Sequence, residues 1–127
     1  MSYKLTIDQK PAYLHIIVTG HNSKETVMQY MEEVMRECTN RKCGNVLVEE
    51  RLEGQRLGTF DVFSMVSEGA KRFAGTFHAM AYVDLNGDGG LMQFAENVAV
   101  NRGIPIQIFS NIPDAEKWLL HQTQNRN

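Results

Sequence analysis

Apolar side chains in this chain recur alternately at two-residue and at three-to-four-residue spacing, and this alternation constrains the fold more than any other feature. Residues 3–8 alternate strictly between apolar and polar, which is typical of an edge strand with one solvated face. Residues 13–18 are apolar on both faces apart from His15, and predict a more central strand that pairs with the first as a hairpin. Helical spacing then runs from Val27 to Cys38 and predicts the first helix.

Local signals mark where the predicted helices begin. Asn22 followed by Glu25 forms a plausible capping pair for the first helix. Thr59 is predicted as the N-cap of a second helix that continues to Phe73, and Pro113 stands near the start of the last one. Helical spacing predicts a third helix over 91–99, and three further strands are predicted at 45–50, 77–83 and 104–109.

This order of elements predicts an α/β fold with a single-domain, five-stranded mixed sheet and about four helices. The N-terminal hairpin is antiparallel, and the later strands are expected to pair in parallel because helices connect them. Pro105 suggests that the last strand lies at an edge or starts there. We expect one domain over residues 1–122 and a polar tail over 123–127.

The charge pattern argues against several classes of partner. Thirteen basic and fifteen acidic residues are interspersed along the chain and leave a formal charge of -2, so neither nucleic acid nor an acidic membrane surface is an expected partner. No apolar run approaches the roughly 20 residues that cross a bilayer, and the first residues lack a signal-peptide pattern. We therefore expect a cytoplasmic protein in which Cys38 and Cys43 remain unlinked thiols.

Several segments together resemble the SpoIIAA-like family, whose members are similar in fold to the STAS domains of anti-anti-sigma factors. The resemblance is carried by element order and hydrophobic pattern in four segments: 45–49, 61–73, 106–109 and 114–119. It implies a STAS-like fold and a non-enzymatic regulatory or protein-interaction module that binds a protein partner or its own copy.

One family motif is missing. Anti-anti-sigma factors carry a phosphorylatable serine in an Asp-Ser-Ser/Thr-Gly signature where the helix after the third strand begins. The corresponding segment here is 55–61, and Thr59 is its one hydroxyl. A helix N-terminus favours a phosphate, so Thr59 is a candidate phosphorylation site, although a plain N-cap is the simpler interpretation.

The segment after the fourth predicted strand partly matches a calcium-binding loop. Asp84, Asn86 and Asp88 supply oxygen atoms at the first, third and fifth positions, and a glycine follows at the sixth. The match then fails, because the twelfth position is Ala95. An ordinary turn explains the same residues, so these three are weak metal candidates, and we expect no cofactor.

Acidic residues cluster toward the predicted carboxyl ends of parallel strands, the edge where open α/β sheets bind ligands. Glu49, Glu50 and Asp84 form this group. Paired carboxylates could perform general acid–base chemistry in a shared pocket, but solvated loop acids are the simpler interpretation. We assign no catalytic residue.

An aromatic and sulfur-rich set surrounds the second predicted helix, and most of it is expected in the core. Met65 falls off the main apolar stripe, which favours an apolar patch there for a ligand or a partner. The predicted surface comprises Thr59, Phe60, Phe63, Met65, Asp84 and Asn86.

Three functions remain open from the sequence. The first is the protein-interaction module that the resemblance implies, and the second is a carrier or sensor of a small apolar or lipid-like ligand. The third is an enzyme that uses Asp84 with Glu49 or Glu50.

Overall fold

The computed structural model describes residues 3–54, 57–73, 75, 77–84 and 89–124. Within them the chain forms five strands and four helices in the predicted order. The strands are β1 (Tyr3–Gln9), β2 (Leu14–His21), β3 (Asn45–Glu53), β4 (Ala79–Asp84) and β5 (Ile106–Phe109). The helices are α1 (Lys24–Arg41), α2 (Thr59–Phe73), α3 (Gly89–Asn101) and α4 (Ile112–Gln124).

The strands form one mixed sheet in the order β1-β2-β3-β4-β5. The pair β1–β2 is antiparallel and every later pair is parallel, which confirms the predicted fold class. β5 lies at an edge, as Pro105 indicated. The outer amide of Ile108 in this strand donates to Oε1 of Glu96 at 2.9 Å, so part of the edge is satisfied by α3.

The helices cover the sheet unequally. Side chains alternate between the two faces of a strand, so Val46 and Val48 of β3 point to one face and Leu47 to the other. The first face packs with Tyr30 and Val34 of α1 in the larger core. The opposite face packs with Ala115 and Leu119 of α4 in the smaller core. Sequential parallel strands place their right-handed crossover helices on one common face, which explains why α4 alone covers the other.

Helix α2 packs against its neighbouring helices. Within the described residues it lies close to α1 and α3, and it approaches no strand as closely. Its buried residues include Val62, Gly69 and Ala70. The helix therefore spans the space between α1 and α3 above the sheet.

Part of the aromatic set around α2, most of which was expected in the core, is exposed. Phe60 is 81 % exposed and Phe63 is 43 % exposed, although both follow the helical spacing on which the prediction rested. Apolar residues occur on both sides of this helix: Phe60 and Phe63 lie on the exposed side, whereas Val62 and Ala70 are buried. Spacing alone could not distinguish the two sides.

Two element boundaries also differ from the predictions. The N-cap of α1 is Ser23, whose hydroxyl accepts from the backbone amide of Thr26, so Asn22 is not the cap. The amide of Asn22 instead donates to the carbonyl of Glu53 at 2.7 Å. This bond continues the β2–β3 pairing, and β3 accordingly extends to Glu53, beyond residue 50 where the predicted strand ended.

Two predictions from composition can be compared with the described residues. Cys38 and Cys43 are free thiols, as expected, and burial raises the pKa of Cys38 to about 12. A thiol with so high a pKa stays protonated and unreactive at neutral pH. None of the helices within the described ranges is both long and apolar enough to cross a membrane.

Candidate functional site

A partly open cavity of about 170 Å³ lies between the sheet and the helices α1, α2 and α3. It is present because α2 packs mainly against its neighbouring helices and lies farther from the strands. Its wall is mostly apolar and contains several unbranched, adaptable methionines. The side chains that shape it include Met28, Met31, Met65, Met80, Ile106 and Ile108.

Three buried polar side chains also line this cavity. Asn22 directly follows β2, Glu50 belongs to β3, and Asp84 ends β4. Their exposed fractions are 7 %, 4 % and 7 %. All three lie toward the carboxyl ends of parallel strands, where ligands bind in open α/β sheets. The cavity thus has a mostly apolar wall that also contains three polar side chains, which lie on three neighbouring strands or directly after one of them.

Glu50 is held by two phenols. The hydroxyls of Tyr30 and Tyr82 both donate to its Oε2. Burial raises the pKa of both phenols well above its usual value of 10, and the charge of Glu50 raises it further. Both phenols therefore keep their protons and act as donors, and the Glu50 carboxylate acts as the acceptor.

Two carboxylates, those of Glu50 and Asp84, line the cavity. Among the described residues that line it, none is a lysine, arginine or histidine. Across the described ranges, no three His, Cys, Asp or Glu side chains are grouped closely enough to hold a metal ion. The apolar side chains that make up most of the wall suit a molecule with an apolar body.

The predicted acidic cluster is divided by the sheet. Glu50 and Asp84 are partners in the β3–β4 register and line the cavity together. Glu49 lies on the opposite face, where Nε2 of His15 is 3.0 Å from its Oε1 and Arg51 pairs with its Oε2. All three carboxylates are buried, so the interpretation as solvated loop acids is wrong.

The predicted surface around α2 is also divided. Met65 is half-buried and lines the cavity, whereas Thr59 and Phe60 are exposed at the start of the helix. The ring of Phe63 lies under the guanidinium of Arg102, 5.1 Å from its centroid.

The weak metal candidates fall mostly outside the part of the chain that the structure describes. Asn86 and Asp88 lie outside the described residues. Of the three candidate ligands, Asp84 is the one whose position is described, and it lines the cavity.

Sequence reasoning missed Asn22, Tyr30 and Tyr82 as site residues. Asn22 was assigned to a helix cap, and both tyrosines were counted as apolar positions of a helix and a strand. A signal was available, because a buried tyrosine needs a partner for its hydroxyl. Two buried tyrosines on elements that pack together can therefore both donate a hydrogen bond to one buried acid such as Glu50.

No protein-family model matches this chain. A search of the curated proteins likewise found no match.

Proposed function

We propose that this protein binds one small, largely apolar molecule in the cavity beneath α2 and serves as its carrier or sensor. The observation that carries the proposal is the cavity itself, which is lined by apolar side chains of three helices and has buried polar groups in its wall. Ligand sites commonly combine an apolar wall with a few polar groups that orient the bound molecule.

The size of the cavity supports this proposal. An apolar cavity of roughly 150 Å³ is large enough to bind benzene, and the cavity here is about 170 Å³. A monocyclic or short-chain apolar body is therefore the expected size of the enclosed part. Transfer of that body from water into the cavity is favourable by about 25 cal/mol for each Å² of apolar surface that is buried.

The first experiment looks for a bound molecule directly. Native mass spectrometry of gently purified protein is expected to show a co-purifying mass, and a panel of small apolar compounds is expected to raise the melting temperature. A ligand that binds only the folded state raises the melting temperature in proportion to its affinity and concentration.

A pair of variants on α3 tests whether the cavity is the site. Ala99 is buried and lines the cavity, so Ala99→Leu fills part of it. Val100 is 55 % exposed on the same helix, so Val100→Leu is the matched control. Loss of the thermal shift in Ala99→Leu but not in Val100→Leu supports the proposal. Equal shifts in the wild type and both variants, or no bound mass and no shift in the wild type, would refute it.

The exposed aromatic residues of α2 favour a second candidate function. Under this reading the chain is a SpoIIAA-like, STAS-like module that contacts a protein partner or a second copy through the start of α2. Its support is Phe60, whose side chain is 81 % exposed, beside Thr59, which remains the candidate phosphorylation site. Phe60→Glu is expected to change the oligomeric state measured by analytical ultracentrifugation or to abolish partner capture. An unchanged outcome in both measurements counts against this function.

A further inference from the structure

We propose that this protein forms a twofold-symmetric dimer in which the β1 strands of two copies pair in antiparallel fashion. The partner is a second copy of this chain, and the interface is the outer edge of β1. The inference uses neither the cavity nor the start of α2, so it stands apart from both candidate functions.

The outer edge of β1 carries backbone groups that no other strand in the described part of the chain engages. β1 is the first strand in the sheet order, and within the described ranges it pairs with β2 alone. At the opposite edge of the sheet, the amide of Ile108 in β5 is already bonded to Glu96. An edge strand whose amides and carbonyls lack a neighbouring strand is a template for pairing with another chain.

A hydrogen bond at the hairpin shows which residues of β1 direct their backbone groups outward. The amide of Lys10 donates to the carbonyl of Tyr13 at 2.9 Å, and this pair continues the β1–β2 register. Hydrogen-bonded pairs alternate along an antiparallel ladder, so every second residue back from Lys10 bonds to β2. The remaining residues of the strand direct their amides and carbonyls to the outer edge: Tyr3, Leu5, Ile7 and Gln9.

The charges on β1 are self-complementary about Thr6. Lys4, Thr6 and Asp8 are all exposed and share one face of the strand. With Thr6 on the twofold axis, all seven residues of β1 are paired, and outward backbone groups of one copy meet those of the other. Lys4 of each copy then lies directly opposite Asp8 of the other.

This charge pattern favours the antiparallel arrangement over a parallel one. Opposite charges directly across a strand pair are stabilising, whereas parallel pairing in register would place Lys4 against Lys4 and Asp8 against Asp8. Asp8 also pairs with Lys10 of its own chain at 2.9 Å, but its side chain is 64 % exposed. A carboxylate can accept several hydrogen bonds, so Asp8 can pair with a second cation.

The same register is complementary on the side of the sheet that faces α1. Oε1 of Glu33 accepts from the hydroxyl of Tyr3 at 2.7 Å. At the other end of β1, Nη1 of Arg41 donates to the side chain of Gln9 at 3.0 Å. The proposed register sets Tyr3 of one copy opposite Gln9 of the other. Glu33 of each copy therefore comes near Arg41 of the second copy, and their opposite charges attract.

A cysteine on the proposed axis tests the register directly. Thr6→Cys is expected to form a disulfide between two copies under mild oxidation, because directly opposed residues of an antiparallel pair have Cα atoms close enough for one. Thr19→Cys is the matched control, since Thr19 is exposed on the same face but lies on β2, away from the edge. Non-reducing electrophoresis should show a covalent dimer for the first variant alone. Equal cross-linking of both variants, or of neither, overturns the inference.

Charge reversal tests the complementarity. Sedimentation equilibrium of the wild type is expected to show a concentration-dependent dimer. Lys4→Asp and Asp8→Lys are each expected to weaken the dimer about tenfold, because the symmetry puts two like-charge pairs in every interface. The double variant restores opposite charges and should recover the wild-type affinity. Lys117→Asp, at an exposed position of α4, is the control and should leave the affinity unchanged.

Several outcomes overturn the inference. They include a wild type that stays monomeric at the highest soluble concentration, single reversals that retain the wild-type affinity, and a double variant that does not recover it. A dimer that Phe60→Glu abolishes and Lys4→Asp leaves intact also overturns it, because the start of α2 would then be the interface. None of these outcomes bears on ligand binding in the cavity, so the two proposals can fail separately.

Discussion

The hydroxyl oxygens of Tyr30 and Tyr82 lie 3.1 Å apart, although one residue belongs to a helix and the other to the sheet beneath it. Both hydroxyls donate to Glu50, which joins α1, β3 and β4 at the polar part of the cavity wall. The same contacts that hold α1 on the sheet therefore also fix the position of a carboxylate that faces the cavity. Under the proposed function, ligand binding and stability are therefore expected to be coupled at Glu50.

Removal of one phenol from this group should destabilise the fold. Tyr30→Phe leaves the buried Glu50 with Tyr82 as its phenol donor and is expected to lower the free energy of unfolding by about 1–3 kcal/mol. The control is Tyr3→Phe, which removes a 2.7 Å bond to Glu33 in a less buried setting and is expected to cost about 1 kcal/mol or less. Urea unfolding measures both. An equal loss in the two variants contradicts the special role assigned to Tyr30.

Stability should decrease at alkaline pH. The pKa of Tyr3 and of Tyr13 is raised to about 12, mainly by burial, and the pKa values of Tyr30 and Tyr82 are also raised well above 10. The folded state therefore holds phenol protons that the unfolded chain releases near pH 10. This contribution to stability is complete below about pH 10 and is lost as the pH rises toward and beyond 12.

Ultraviolet titration of phenolate checks the alkaline prediction. In the native protein phenolate should form at higher pH than in the urea-unfolded chain, and the free energy of unfolding should fall over the same range. Tyr30→Phe should make that fall shallower, because one raised phenol is removed. Phenolate that forms near pH 10 in the native protein would rule out the four raised pKa values.

The sequence allowed the fold to be predicted because the spacing of apolar residues reports directly on helices and strands. It also correctly indicated that Glu50 and Asp84 stand toward the carboxyl ends of neighbouring strands. The sequence analysis did not place Glu49 and Glu50 on opposite faces of the sheet, although adjacent side chains along a strand point to opposite faces. That separation could have been predicted once 45–50 was recognised as a strand.

Other features of the site could not be predicted from spacing, because they depend on how elements meet. The space beneath α2 arises from the packing of three helices over five strands, and no local pattern records it. Phe60 fits the helical period as well as Val62 does, yet the first is exposed and the second is buried. Only tertiary packing decides which of two apolar sides of a helix faces inward.

The ion pair on the opposite face of the sheet offers another test. Glu49 is buried and pairs with Arg51 and His15. Arg51→Ala removes one partner of a buried charge and is expected to cost about 1–3 kcal/mol. Arg41→Ala is the control, because Arg41 pairs with Glu37 within a helix at the surface, where such pairs contribute about 0.5 kcal/mol or less. Chemical denaturation compares them, and a loss in Arg51→Ala no greater than in Arg41→Ala contradicts the prediction.

Gly54 provides a test of the end of β3. Its φ of +105° is unfavourable for other residues, and a Cβ there would meet Cε1 of His21 at 2.9 Å. Gly54→Ser is therefore expected to destabilise the fold by about 1–3 kcal/mol. Gly58→Ser is the matched control, since a Cβ at Gly58 meets nothing within 4 Å and serine is favourable before a helix. Measured by thermal unfolding, the melting temperature is expected to be lower than that of the wild type in Gly54→Ser alone. Equal melting temperatures for the two variants would contradict the prediction.

The support of α2 by α1 and α3 determines which part of the protein can yield to a bulky guest. Displacement of this helix would disturb side-chain packing with its two neighbours but would break no hydrogen bond of the strand ladder. Under the proposed function, a ligand somewhat larger than the present space is therefore expected to require only a local shift of α2, with the five strands remaining paired.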